Sequence, residues 1–204
     1  MNSSLYLLAR VVLTPFFCLY FRLRVTGREH VPRRGPFLLA ANHVSFLDPP
    51  LLGCSSPRSL RYFARSTLFK NPLFGWLIGA LGTMPLERAG ATSMSLKKGI
   101  RVLRQGYGLV IFPEGTRSLN GELGMARPGI GFLAAKTGAP VVPVLVAGSE
   151  KAMPRHARFL YPARITVRFG PPLTASGDYE ETGRRVMEAI GKLRNDECRM
   201  MNAE

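Results

Sequence analysis

His43 and Asp48 stand five residues apart in Asn42-His43-Val44-Ser45-Phe46-Leu47-Asp48, just after the apolar run Phe37-Leu38-Leu39-Ala40-Ala41. An imidazole held by a carboxylate can take a proton from a hydroxyl, because the carboxylate fixes the tautomer at one ring nitrogen and leaves the other as the base. In a regular helix a five-residue step turns a side chain by roughly 140°, which would point the two groups apart. They can meet only if His43 sits in a turn and Asp48 lies in or near the first turn of a following helix. Pro49-Pro50 suits such a start, since proline is tolerated there. Taken alone, so short a pattern recurs by chance, and its plain alternative is a structural histidine at a strand end.

A second block, Phe112-Pro113-Glu114-Gly115-Thr116-Arg117-Ser118, closes the apolar run Leu109-Val110-Ile111. It offers a strand end, a turn and a guanidinium for an anion. The guanidinium is a rigid fork of donors that matches a pair of phosphate oxygens, which an ammonium does not. Glu114 is expected to orient Arg117 or to accept from a substrate hydroxyl, and Gly115 to allow close backbone approach. Arg88 is the second candidate for a phosphate clamp, although by itself, like Arg61 and Arg65, it reads as a surface charge. Ser45 is a rival nucleophile two residues from His43. No Gly-x-Ser-x-Gly elbow surrounds it, so a loop hydroxyl and a direct transfer without an acyl-enzyme are expected.

In this order and at this separation the two blocks resemble the glycerolipid acyltransferases, with their His-x4-Asp and later Glu-Gly-Thr-Arg signatures. Over nearly its full length the chain is similar to the 1-acylglycerol-3-phosphate (lysophosphatidate) acyltransferase family. Gly82-Thr83-Met84-Pro85-Leu86-Glu87-Arg88 resembles a further family block, ending in an arginine implicated in phosphate binding, and Val141-Val142-Pro143-Val144 another. Pro85, Glu87 and Arg127 depart from the residues most usual at their places.

The resemblance implies that His43 and Asp48 are catalytic and that Arg88, Glu114, Gly115, Thr116 and Arg117 bind substrate. A fatty acyl group would pass from acyl-CoA or acyl-carrier protein, as co-substrate, to the free hydroxyl of lysophosphatidate, giving phosphatidate. Other lysophospholipids or lyso-ornithine lipid are alternative acceptors within the family. No metal or other cofactor is expected. A general base of this kind contributes typically about 10²–10⁴-fold in rate.

The 204 residues carry 28 Lys and Arg against 13 Asp and Glu, a net charge of +15 that calls for anionic company. The basic residues are mostly single and gather on no recognition helix or arm, so a phosphorylated substrate and an acidic membrane face are favoured over nucleic acid. A non-catalytic basic membrane- or nucleic-acid-binding protein would explain the charge but not the two blocks. Cys18, Cys54 and Cys198 form no Cys-x-x-Cys pair and suggest neither disulfides nor a thiolate metal site, and three histidines make a histidine-rich metal centre a poor reading.

Stepping along the chain, residues 1–21 form a membrane-associating segment and residues 22–204 an acyltransferase domain. Leu5 to Phe21 is apolar but interrupted by Arg10 and Pro15. It is expected to lie in the membrane interface on the cytoplasmic side, with a single span or a buried core helix as alternatives. Arg22–Thr26 alternates as an edge strand, Phe37–Ala41 reads as a buried strand, and Asp48–Gly53 starts a short helix. Strands follow at Leu60–Ala64, Thr83–Leu86, Gly108–Phe112 and Pro140–Ala147, the last with Pro143 marking an edge or bulge. Arg164–Phe169 alternates between a basic and an apolar face. Helical spacing appears at Leu96, Ile100 and Leu103, at Ile130–Lys136, and at Val186, Ile190 and Leu193. Pro72–Ile78 reads as an apolar helix or loop at a membrane or acyl-chain surface. Strands alternating with helices predict an α/β fold, a layered mixed β-sheet flanked by helices.

Overall fold

The computed structural model describes residues 1–86, 93–118, 121–154, 157 and 159–201. Seven helices, α1 (Ser3–Tyr20), α2 (Asp48–Ser55), α3 (Pro72–Ala80), α4 (Ser93–Arg104), α5 (Gly129–Thr137), α6 (Ser149–Ala152) and α7 (Tyr179–Met201), are interleaved with seven strands among these residues. The strands are β1 (Arg24–Thr26), β2 (Phe37–Ala41), β3 (Leu60–Arg65), β4 (Thr83–Leu86), β5 (Gly108–Ile111), β6 (Val141–Ala147) and β7 (Thr166–Phe169). They form one sheet in the order β1-β7-β6-β2-β5-β3-β4, in which only β6 and β7 pair antiparallel. The expected mixed α/β layering is what the chain adopts.

β2 is buried on both faces, which is why its five residues are all apolar. Phe37, Leu39 and Ala41 pack with Phe17 and Phe21 from the α1 side and with Leu51 and Leu52 of α2. Leu38 and Ala40 point to the other layer, among Leu103 of α4, Ile130 and Leu133 of α5, and Val186 and Ile190 of α7. Truncating any one of these fully buried leucines to alanine would cost about 2–5 kcal/mol.

Three expectations change. Pro143 lies in neither an edge strand nor a bulge, since β6 runs between β2 and β7. Its carbonyl accepts from Gly170 N–H at 2.8 Å, and register sets Val144 against Phe169. A strand residue's N–H and C=O point the same way, so the missing donor falls at the last rung, where β7 has ended, and only one bond is lost. The basic face of Arg164–Phe169 is covered in part: Arg164 is exposed, but Arg168 meets α7, its Nη1 donating to Glu197 Oε2 at 3.3 Å with both side chains largely buried.

A third change concerns the N-terminus. α1 runs unbroken through Arg10 and Pro15, because a proline within a helix removes only one i→i−4 bond when the rest of the helix is held by packing. One face of the segment also packs onto the rest of the fold. Tyr6 (6 % exposed), Phe17 (3 %) and Phe21 (0 %) are core residues, Tyr6 Oη accepts from Leu60 N–H at 3.2 Å, and Phe21 C=O accepts from Ile165 N–H at 3.0 Å. The opposite face of α1 is bare: Leu7, Leu8, Val11 and Val12 are all exposed, as are Leu73 and Trp76 on α3. Asn2 N–H bonds Ala80 C=O at 2.9 Å, so the two bare helices adjoin. By length and composition α1 alone among the described helices could cross a membrane.

Candidate active site

The carboxyl ends of β2, β5 and β6 lie side by side at the middle of the sheet, the place where open α/β sheets gather ligands. The chain leaving β2 is not released at Ala41. Asn42, 3 % exposed, donates from Nδ2 to Val146 C=O at 2.9 Å and accepts Val146 N–H on Oδ1 at 2.8 Å. Its side chain thus adds a rung to the β2–β6 ladder while the backbone turns away, and His43 follows in the loop so formed.

Asp48 is the first residue of α2, with proline next to it, as the spacing argument required. Its carboxylate is fully buried, and four donors converge on it. Oδ2 accepts His43 Nδ1 and the N–H groups of Val44 and Ser45, each at 2.8 Å, and Oδ1 accepts Ser149 Oγ–H at 2.6 Å. With Nδ1 engaged, Nε2 is the nitrogen left over, and among the described residues it has no hydrogen-bond partner. The ring stacks on Phe112, with centroids 4.0 Å apart and planes 19° from parallel, and keeps 19 % of its side chain exposed.

The loop after β5 is bonded to the His43 loop. Ser118 N–H donates to His43 C=O at 2.8 Å, and His43 N–H donates to Glu114 Oε1 at 3.3 Å. Glu114 Oε2 accepts Gly124 N–H at 3.1 Å. The carboxylate expected to face Arg117 or a substrate hydroxyl therefore ties two backbone segments together. Gly115 takes a left-handed conformation at φ 72°, and a Cβ there would meet Arg127 Nε at 2.5 Å; that nitrogen donates to Glu114 C=O. The close approach that this glycine permits is to Arg127. Arg117 lays its guanidinium over the Phe46 ring, 3.6 Å from the centroid. Glu114, Thr116, Arg117, Ser118, Leu123 and Gly124 line an open cleft beside the histidine loop.

Of the residues singled out in the sequence, His43, Asp48, Glu114, Gly115, Thr116 and Arg117 come together, and Arg88 lies outside the described residues. Ser45 is a loop hydroxyl, 1 % exposed, donating to Met153 C=O at 3.2 Å and accepting Leu47 N–H at 3.3 Å. Asn42, Phe46, Phe112 and Ser149 were not assigned from sequence. The first three lie inside the quoted blocks, so their position was a usable signal, whereas nothing in the sequence ties Ser149 to a residue 101 positions earlier. Among the described residues no group of three or more His, Cys, Asp and Glu side chains is placed to hold a metal ion.

The sequence model of the acyltransferase family matches residues 22–147. The chain belongs to the acyltransferase family. Both signature blocks of the acyltransferase match lie on the two interlocked loops, and α6 begins just beyond it. Among its relatives is the chloroplastic 1-acyl-sn-glycerol-3-phosphate acyltransferase of Arabidopsis thaliana, 36% identical over 66% of this chain and 38% of that protein. Another is the 1-acyl-sn-glycerol-3-phosphate acyltransferase of Saccharomyces cerevisiae, 34% identical over 63% of this chain and 44% of that protein. The first curated relatives are thus spanned by this acyltransferase over about two-fifths of their length. In fold it is similar to the 1-acyl-sn-glycerophosphate acyltransferase of Thermotoga maritima, with a TM-score of 0.72 and 25% identity, covering 90% of this chain and 79% of that one.

Proposed function

We propose that this acyltransferase moves a fatty acyl group from acyl-CoA or acyl-carrier protein to the free hydroxyl of lysophosphatidate, forming phosphatidate. The observation that carries the reading is the His43 ring, held by Asp48 through Nδ1 at 2.8 Å, with Nε2 left over beside a cleft that contains Arg117. As the acceptor oxygen attacks the thioester carbonyl carbon, its proton passes to Nε2. The imidazolium that forms lies against the Asp48 carboxylate. When the tetrahedral adduct collapses, the C–S bond breaks and the proton passes to the departing thiolate. The engaged, buried hydroxyl of Ser45 supports direct transfer over an acyl-enzyme. Arg117, with Arg88, would receive the acceptor's phosphate. The reaction as written uses neither metal nor cofactor.

The test is release of free thiol from acyl-CoA with a panel of lysolipid acceptors. Release is expected with lysophosphatidate, and His43→Ala should lower it by about 10²–10⁴-fold in a protein that still folds. Turnover near that of the unaltered enzyme in this variant would remove the base from the mechanism.

The enzyme would work at the cytoplasmic face of a membrane, resting on the bare side of α1 and α3. Support comes from the exposed apolar residues there and from charge, since residues 1–86 hold ten Lys and Arg against only Glu29 and the buried Asp48. Each Leu or Phe moved from water is worth about 1.5–3 kcal/mol, so partial insertion of a few suffices for attachment. Deleting α1 would also strip Tyr6 and Phe17 from the core. Leu8→Glu with Val11→Glu is the cleaner change, expected to abolish sedimentation with anionic vesicles while leaving the fold. Salt alone should release the unaltered protein only in part, because screening acts on the charges and not on the apolar contact. Complete release by salt would make the attachment electrostatic.

A further inference from the structure

The end of β6 and the residues that follow it grip the histidine loop on both flanks. Val146 holds Asn42 by two bonds, and Ser149, three residues on, reaches Asp48. Between them the chain must turn sharply. Gly148 does so at φ 85°, where a Cβ would stand 2.1 Å from Arg164 C=O, so no other residue fits without moving the backbone. The turn delivers Ser149, fully buried, with its hydroxyl on the one Asp48 oxygen that no other described residue holds.

That division of labour has a consequence for the ring. The two backbone donors and the imidazole all meet Oδ2. A carboxylate held at one oxygen keeps freedom to swing about Cβ–Cγ, and every swing tilts the acceptor lone pairs away from Nδ1–H. A donor on the second oxygen removes that freedom. It also supplies the partner that a buried carboxylate oxygen needs. We propose that Ser149 is a positioning residue for the reaction: by donating to Asp48 Oδ1 it locks the carboxylate plane that orients His43. The inference rests on the acyl-transfer reading of His43 given above.

The experiment compares Ser149→Ala, Ser149→Thr and Ser149→Cys with Ser56→Ala. Ser56 is an equally buried serine whose Oγ donates to Arg58 C=O at 2.8 Å, away from the site. Ser149→Ala should lower kcat about 10–100-fold, the range known for hydrogen-bond partners that orient metal-ligating side chains, with KM for both substrates within about twofold. Threonine keeps the hydroxyl and should restore kcat to within about threefold. Cysteine, a weak donor of similar size, should fall between and serves if the alanine variant does not fold. The second readout is the proton NMR resonance of His43 Nδ1–H, assigned by its loss in His43→Ala. It should shift or broaden in Ser149→Ala, persist in Ser149→Thr, and stay unchanged in Ser56→Ala. A Ser149→Ala enzyme that loses only thermal stability, as Ser56→Ala does, with kcat and the resonance unaltered, overturns the proposal. If the unaltered protein acylates no lysolipid, the acyl-transfer reading fails, and the resonance alone still decides whether Ser149 positions the pair.

Discussion

The two halves of the site are built on different principles. His43 and Asp48 are fixed by hydrogen bonds from four segments: the turn itself, the end of β6, the start of α6 and the loop after β5. Arg117 instead lies on the face of Phe46, a ring that is itself half exposed. Proton transfer needs donor and acceptor placed to a few tenths of an ångström, and only a network of short, directional bonds achieves this. Binding a phosphate needs charge and a fork of donors, and a guanidinium stacked on an exposed ring presents both.

The contrast predicts unequal losses. Asp48→Asn should be the most damaging change, because the amide favours the wrong tautomer and leaves a buried cradle of donors mismatched. In the serine-protease triad, the handiest parallel, the same exchange costs roughly 10⁴-fold in kcat. A loss under about tenfold would mean that the rigid side is not needed, and the contrast would collapse. Arg117→Lys comes next. It keeps the charge but not the fork, and should raise KM for a phosphorylated acceptor roughly tenfold with little change in kcat. A defect confined to the acyl donor would move the clamp elsewhere. Phe46→Leu should be mildest, about two- to fivefold in acceptor KM, since an exposed cation–π contact is worth only about 0.5–1 kcal/mol. A larger fall in kcat would show that Phe46 belongs to the rigid side after all.

A similar asymmetry separates the two helical layers. α4, α5 and α7 bury one face each and present charges such as Lys97, Arg101 and Arg104 outward. α1 buries Tyr6 and Phe17 yet leaves Leu8, Val11 and Leu19 uncovered on its other side. From sequence, an all-round apolar helix reads equally as core, interface or span, because periodicity marks the faces only when one of them is polar. The structure shows one face in the core, and the bare face supports the membrane reading.

What the sequence determined by itself is the pairing of His43 with Asp48 and most of the frame. The buried strand Phe37–Ala41 shows as an unbroken apolar run, and the turn-then-helix needed to join His43 to Asp48 follows from a five-residue step with prolines after it. These are local properties, set by residues within a turn or two of each other. Tertiary structure decided the rest. Pro143 reads as an edge residue until its neighbour β7 is seen to end at that rung. Glu114 shows in sequence only as a carboxylate in a turn, and the structure adds that His43 N–H and Gly124 N–H sit on its two oxygens. Ser149 carries no signal at all, because a hydrogen bond between residues about a hundred positions apart leaves no periodicity or spacing in the chain. It exists only because β6 lies beside β2 in the sheet, so that the ends of both strands are brought to the same carboxylate.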